Sequence, residues 1–288
     1  MVICTLRLFV VASLLVTSLL MSNRVYAQNI KVNKVIGEKE ELVFSILQLA
    51  LQKSSPESRI IQMNNEIPVG RLVEETDAGR IDLMWAGSSK ELDNKLLAVR
   101  IPLLKGLLGH RIFIIRDGEQ TRFDAIKELS QLSRYSAGMG HFWGSTRVLR
   151  EAGLPVETSV KYKNLFHMLD GGRFDYFPRA AHEPWSEVKA HPDLSLQVEK
   201  KLLLIYPYAM YFYLKKSSLE LHETLSSGLE LAIADGSFDE LFFSNPMIKS
   251  AVEESDFSQR TVMRIANPDM HPDTPIERAE LWLDVASL

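Results

Sequence analysis

Strand-like and helix-like segments alternate along the whole chain, and this alternation constrains the fold more than any other feature. Residues 38–53 carry apolar side chains with helical spacing, between strand-like runs at 31–36 and 59–63. A short helix is predicted at 69–78, and the mostly apolar run at 81–86 predicts a third strand. Strands that alternate with helices at this spacing are typical of βαβ units with a parallel sheet.

A second alternating series follows the strong strand predicted at 111–115. The further predicted elements are helices at 123–132, 145–152 and 163–169, strands at 135–139 and 174–177, an aromatic extended segment at 202–214, and helices at 219–235 and 238–243. We therefore predict an α/β fold of two lobes, each a mostly parallel sheet flanked by helices. Two extended crossovers would form a hinge with a cleft between the lobes.

The extended segment near residue 206 implies that the chain returns to its first lobe after completing the second. The first lobe is then discontinuous in sequence. We expect a leader at 1–27, the first part of lobe 1 at 28–116, lobe 2 at 117–205, and the rest of lobe 1 with the C-terminal helices at 206–288.

The first 27 residues have the three-part pattern of a secretory signal. Arg7 provides a positive start, residues 8–21 are continuously apolar, and residues 25–27 suit a cleavage site. The apolar run is about 14 residues long, short of the roughly 20 that a spanning helix needs; an uncleaved N-terminal anchor is the alternative. We expect cleavage after Ala27 and a periplasmic mature chain.

Composition limits the classes of partner that the mature chain can bind. The hydrophobic content of 46% excludes a disordered protein. Loss of Arg7 and Arg24 with the leader leaves 31 basic and 37 acidic residues, a net charge of −6 that argues against nucleic acid as a partner. The only cysteine of the sequence is Cys4, so the mature chain has no disulfide and no thiol to bind a metal.

Four stretches share an order of motifs that points to one family. They are 79–84 (GRIDLM), 139–148 (MGHFWGSTRV), 172–176 (GRFDY) and 229–242 (LELAIADGSFDELF). Together they resemble periplasmic solute-binding proteins of the type II fold, in the family that serves polar amino-acid ABC transporters. The resemblance implies that a small ligand binds in an interlobe cleft, that the lobes close around it, and that a membrane permease receives it.

The start of the predicted helix at 145–152 is a candidate ligand contact. Free N–H groups and the positive end of the helix dipole favour an anionic group there, and Ser145 and Thr146 can add hydroxyls. In the resembled family this loop holds the ligand's carboxylate; plain N-capping is the alternative. Trp143, just before the turn, is expected to face the cleft, with packing beneath the loop as the alternative.

Arg179 and Glu183 follow the predicted strand at 174–177, at the sheet edge where ligands bind in open α/β folds. A guanidinium suits a carboxylate. The resembled family commonly has an acidic residue near here, whereas this chain has Arg179 with Glu183 four residues later. This arrangement argues against a simple α-amino acid and favours a small anionic or zwitterionic ligand, amino-acid-like or an organic acid. An Arg179–Glu183 ion pair is the alternative.

The strand at 81–86 leads to Trp85 and Ser88, our candidate contacts in the first lobe. Trp85 could instead belong to the core. The resembled family usually follows this strand with an arginine that grips a carboxylate; here only Lys90 and Arg100 are near, and neither matches the pattern. The first-lobe half of an amino-acid pocket is therefore altered. A further alternative is that the pocket has changed so far that it binds no ligand tightly.

No enzyme motif stands out, so we expect no catalytic residue, no metal and no cofactor. We expect a monomeric extracytoplasmic binding protein whose partners are a small molecule and a membrane permease. A sensor that signals to a membrane receptor is the alternative. A periplasmic enzyme on the same fold is the third reading; it would need an acid or base in the cleft, for which Glu183 and His141 are the candidates.

Overall fold

The computed structural model describes residues 28–286 and 288, so the leader expected at 1–27 lies outside the described residues. The strands are β1 (Asn29–Val32), β2 (Arg59–Gln62), β3 (Leu83–Gly87), β4 (Leu96–Val99), β5 (His110–Arg116), β6 (Ala137–Gly140), β7 (Val156–Ser159), β8 (Tyr176–Ala180), β9 (Leu196–Val198), β10 (Leu202–Ile205), β11 (Met210–Lys215) and β12 (Thr261–Arg264).

The helices alternate with these strands and close the chain. They are α1 (Glu38–Ser54), α2 (Val69–Asp77), α3 (Lys90–Lys95), α4 (Gln120–Asp124), α5 (Leu129–Leu132), α6 (Gly144–Glu151), α7 (Tyr162–Asp170), α8 (Pro184–Lys189), α9 (Leu219–Ala234), α10 (Ser237–Ser244) and α11 (Pro246–Ser255), with 3₁₀ turns at Leu107–Gly109, Phe257–Gln259 and Ala279–Leu281. Within the described residues, no helix is both long enough and apolar enough to cross a membrane.

Two separate sheets form the centres of two lobes, as predicted. The first has the strand order β2-β1-β3-β11-β4, and the second has the order β12-β10-β5-β8-β6-β7 with β9 also paired to β5. The βαβ units are parallel, as in β1 with β2 and β3, and β6 with β7 and β8. One strand of each sheet runs antiparallel to these, namely β11 in the first sheet and β5 in the second. Both sheets are therefore mixed.

The sheets do not divide at the boundaries expected from sequence. Strand β5, at 110–116, was expected in the first lobe but pairs with β8, β9 and β10 in the second sheet. Strand β12, far along the chain, pairs with β10 in that sheet. A strand such as β5 that is buried on both faces shows no pattern that identifies its partner, because either sheet would bury it equally well.

The extended segment at 202–214 is two strands in two different sheets. Strand β10 belongs to the second sheet and β11 to the first, and residues 206–209 cross between them. Pro207 has no N–H to donate to a ladder, which favours a break in pairing at this point. The chain also passes between the sheets before β5, before β12 and after β12, giving four passages in place of the two expected.

The two lobes share one hydrophobic core near these passages. It combines Leu47 of α1 and Leu229 of α9 with Ile112 and Leu203 of the second sheet. Helix α9 packs so closely on α1 that a Cβ added at Gly228 would lie 2.0 Å from the carbonyl oxygen of Ala50. The last passage ends in the same core, through Leu281, Leu283 and Val285. The lobes are thus joined by buried apolar surface as well as by chain.

Candidate functional site

One edge of each sheet faces the other sheet, and the space between these two edges is called the interlobe seam. On the second sheet, β6, β8 and β10 end at this edge and β5 begins there, because β5 runs antiparallel to β8 and β10. On the first sheet, β3 ends at Gly87 beside the start of β11 at Met210. The edges are in close approach: a Cβ added at Gly144 would lie 3.7 Å from the carbonyl oxygen of Ser88.

Arg111, near the start of β5, is the basic side chain best placed in the seam. It is 5% exposed, and its Nε donates a 2.7 Å hydrogen bond to the hydroxyl of Tyr206. Its guanidinium lies 5.5 Å from the ring centre of Tyr206 and 5.9 Å from that of Tyr208. Within the described residues, neither terminal nitrogen of Arg111 has a hydrogen-bond partner or an ion pair. Neither terminal nitrogen is among the fully buried polar atoms without a partner, so both keep contact with solvent and are accessible to a ligand.

Helix α6 begins at the same edge and brings Ser145 to Tyr206. Ser145 is 3% exposed, and its side chain lies close to the Tyr206 hydroxyl. Burial raises the pKa of Tyr206, against the opposing effects of Arg111 and Ser145. Thr146 is occupied locally, because its hydroxyl donates to the carbonyl of Gly140 at 2.6 Å. Trp143, at the N-cap, makes no side-chain cap hydrogen bond. The first turn of α6 therefore lies beside Arg111, with Ser145 as its link.

Arg179 is placed in a buried ion-pair cluster, which is the alternative considered for it from the sequence. Its Nε and Nη2 bind both carboxylate oxygens of Glu187 at 2.6–3.0 Å, and Nη2 also lies 3.0 Å from Glu183. The rings of Trp143 and Phe177 lie 5.1 and 4.9 Å from its guanidinium. Because Arg179 is paired with Ile112 across the sheet and Arg111 with Ala180, the two arginines occupy opposite faces.

Glu183 stays ionised in this cluster. Burial alone would raise the pKa of Glu183, but the charge of Arg179, with smaller contributions from His182 and Arg111 and a hydrogen bond from the Ala180 N–H, lowers it to about 2. Burial raises the pKa of Glu187, and the negative charge of Glu183 adds to this effect, against the lowering effect of Arg179. The seam thus holds a carboxylate, Glu183, on the same edge as the unpaired cation Arg111.

His182 lies beside this carboxylate and is neutral near pH 7. Its Nδ1 is buried without a hydrogen-bond partner within the described residues, and burial lowers its pKa to about 4. His182 is not among the ligand contacts predicted from the sequence. Of the part of the chain that the structure describes, no group of three or more His, Cys, Asp or Glu side chains is arranged to hold a metal ion.

The remaining candidates lie near the seam with different degrees of access. Trp85 is half-buried and meets Phe212 edge-on at 6.3 Å in the shared core. Ser88 is half-buried at the end of β3, and its backbone N–H donates to Ala209. Trp143 is also half-buried and stacks on Phe177 at 6.2 Å, so it packs beneath its loop. The exposed aromatic residue there is Phe142, at 80%.

The two basic residues considered in place of a first-lobe arginine are both paired. Lys90 binds Asp269 at 3.0 Å, and Arg100 binds Asp93 at 3.1 Å. Arg111, which sequence reasoning missed, is the unpaired one. A charged residue inside the otherwise apolar run at 110–115 was the available signal, since an arginine buried in a strand needs a partner.

Comparison with known proteins identifies the fold. No protein-family model matches the chain, and no curated protein sequence matches it. Among solved structures, an ancestral arginine-binding protein bound to arginine superposes with a TM-score of 0.53 at 15% identity, covering 77% of this chain and 100% of its own.

Two further structures agree with this match. The amino acid ABC transporter substrate-binding protein AbpA from Streptococcus pneumoniae, bound to L-arginine, has a TM-score of 0.52 at 12% identity and covers 77% of this chain and 95% of its own. The VFT2 domain of BvgS from Bordetella pertussis has a TM-score of 0.55 at 15% identity and covers 79% of this chain and 96% of its own. The chain therefore has the two-lobe type II fold of periplasmic binding proteins, which confirms the predicted fold class.

Proposed function

We propose that this protein is an extracytoplasmic binding protein that captures a small, amino-acid-like carboxylate in the interlobe seam. The observation that carries the proposal is Arg111, a nearly buried guanidinium with two unpaired terminal nitrogens beside the start of α6. A planar guanidinium binds a carboxylate with two parallel hydrogen bonds, and the helix N-terminus adds further N–H donors. Ser145 lies at the same point and can add a hydroxyl.

Charge balance favours a zwitterion over a dianion. The cations Arg111 and Arg179 are matched in number by the carboxylates of Glu183 and Glu187. A ligand with one carboxylate and one ammonium group keeps this balance, whereas a dianion adds two negative charges to a buried site. Glu183, held ionised, is the group available to the ammonium. This assignment revises the expectation that Arg179 itself grips the ligand's carboxylate.

Calorimetric titration of the 28–288 chain with single amino acids and short organic acids tests the proposal. We expect at least one zwitterionic amino acid to bind, and Arg111→Gln to weaken that binding by about 100-fold, because a charge-assisted bidentate contact is lost. Arg150→Gln is the matched control, since Arg150 is exposed on the same helix as Ser145. Equal affinities for the Arg111→Gln variant and the unaltered chain would disprove the role of Arg111.

For delivery of the ligand, we propose an ABC-type permease, as in the amino acid ABC transporter that the similar protein AbpA serves. The competing partner is a membrane receptor, because capture by lobe closure serves either one. Uptake of the bound amino acid by cells with and without this protein separates the two. Loss of uptake supports the permease, and unchanged uptake with an altered cellular response supports the receptor. No enzymatic step is proposed.

A further inference from the structure

Tyr208 occupies the interlobe seam itself. Its hydroxyl lies over two glycines from different lobes: a Cβ added at Gly87 would be 2.6 Å from this oxygen, and one added at Gly144 would be 3.4 Å from it. Its ring packs partly buried against the core of the second lobe and lies 6.1 Å from the ring of Tyr206. Gly87 is needed for this fit, because a larger residue there would overlap the tyrosine.

The same ring lies beside the arginine that we assign to the ligand's carboxylate. The guanidinium of Arg111 lies 5.9 Å from the ring centre of Tyr208, and its Nε is already used by Tyr206. A carboxylate on the terminal nitrogens of Arg111 therefore places the rest of the ligand next to Tyr208. The adjoining walls are the start of α6 and the end of β3, which meet at Gly144 and Ser88.

We infer that Tyr208 is a specificity-determining residue that limits the ligand to a small side chain; this inference rests on the proposed function. With the two edges as close as they are here, the hydroxyl end of Tyr208 lies between Gly87 and Gly144, in the space into which a long side chain would extend. Glycine, alanine and serine have side chains too short to need that space. Arginine, the ligand of two similar structures, does not fit, because it would have to displace the ring from between Gly87 and Gly144.

Titration of three forms of the 28–288 chain with alanine, serine, glutamine and arginine tests the inference. In the unaltered chain we expect alanine or serine to bind at least tenfold more tightly than glutamine or arginine. Tyr208→Ala should abolish or reverse this ratio, and Tyr208→Phe, which keeps the ring, should preserve it. If Tyr208→Ala does not fold, Tyr208→Leu opens part of the same space and should shift the ratio in the same direction.

The outcomes separate this inference from the function on which it rests. If the unaltered chain binds arginine as tightly as alanine, or if Tyr208→Ala changes all four affinities by one factor, the specificity role of Tyr208 is disproved while amino-acid capture stands. Binding by Tyr208→Ala alone would support the role of Tyr208 as a barrier. Absence of binding in every form would disprove amino-acid capture, and the inference with it.

Discussion

Asp269 and Arg147 form an ion pair across the interlobe seam, with 3.0 Å between the carboxylate oxygen and Nη1. The same oxygen lies 3.0 Å from Nζ of Lys90. Arg147 belongs to α6 of the second lobe and Lys90 to α3 of the first, so Asp269 links both lobes. It lies in the last passage of the chain, between β12 and the final core residues.

Asp269→Asn is expected to loosen the closed arrangement with little effect on folding. Lys90 and Arg147 are more than half exposed, so the two pairs together contribute about 1 kcal/mol or less to the free energy of unfolding. The change should appear in small-angle X-ray scattering as a larger radius of gyration of the unliganded chain. Asp273→Asn, on the same segment and 77% exposed, is the control. Identical scattering from all three forms would contradict a linking role for Asp269.

Gly228→Ala is expected to destabilise the protein by about 1–3 kcal/mol, because an added methyl group overlaps backbone and forces α9 away from α1. The matched control is Gly70→Ala on α2, where nothing lies within 4 Å of the new Cβ. There, alanine should leave the free energy of unfolding unchanged or raise it by about 0.4–1 kcal/mol, because it lowers the conformational entropy of the unfolded chain. Urea denaturation measures both. Equal midpoints for the two variants would show that the close α1–α9 contact is absent in solution.

The alternation of strands and helices predicted both lobes because each element is short and has a clear period. The prediction misplaced β5 and took β10 and β11 as one extended segment, because pairing partners depend on contacts far apart in sequence. Helical spacing at 123–132 likewise predicted one helix, whereas the structure has α4 and α5 with a break between them.

The site was harder to predict than the fold. Ser145 and Arg179 were identified by their positions at strand ends, which the topology of an α/β sheet determines. Whether a buried arginine is already paired depends on side chains from other elements, and Glu187 on α8 pairs with Arg179 but no residue pairs with the terminal nitrogens of Arg111 within the described chain. Local sequence carries no information about that difference.

The expected leader can be checked directly. N-terminal sequencing of the protein from the periplasmic fraction of expressing cells should give a chain that begins at Gln28, since residues 25–27 suit the signal peptidase. An Ala27→Arg change should block processing and leave the longer chain with the membrane fraction. An intact N-terminus in the unaltered protein would favour the alternative, in which residues 1–27 stay uncleaved as an N-terminal membrane anchor.

Arg179→Ala is expected to cost about 3–5 kcal/mol in the free energy of unfolding, since it leaves the carboxylates of Glu183 and Glu187 buried without their cation. Arg173→Ala, at an exposed position three residues before β8 begins, should change the free energy of unfolding by less than about 0.5 kcal/mol. Chemical denaturation at pH 7 measures both. A small effect of Arg179→Ala would mean that the cluster is open to water, and would return Arg179 to the direct ligand contacts.

Acid should destabilise the protein in two separate pH ranges. Burial lowers the pKa of His182 and of His110 from 6.5 to about 4, so both are neutral in the folded state. Between pH 6.5 and 4 the unfolded chain therefore binds more protons than the folded chain. The contribution of each histidine to the free energy of unfolding is complete above pH 6.5 and is lost as the pH falls towards 4. This loss amounts to up to about 3 kcal/mol for each histidine. Glu183, with a pKa lowered to about 2, contributes only below about pH 4.5.

The difference in the free energy of unfolding between the unaltered chain and His182→Gln separates the contribution of this histidine from those of the other titrating groups. We expect the free energy of unfolding of His182→Gln to fall less steeply between pH 6.5 and 4, by roughly half of the histidine contribution, because glutamine does not titrate. His167→Gln, at an exposed position on α7, should keep the full slope. Parallel curves for His182→Gln and the unaltered chain would show that His182 is accessible to water in the folded protein, with the interlobe seam more open than in this structure.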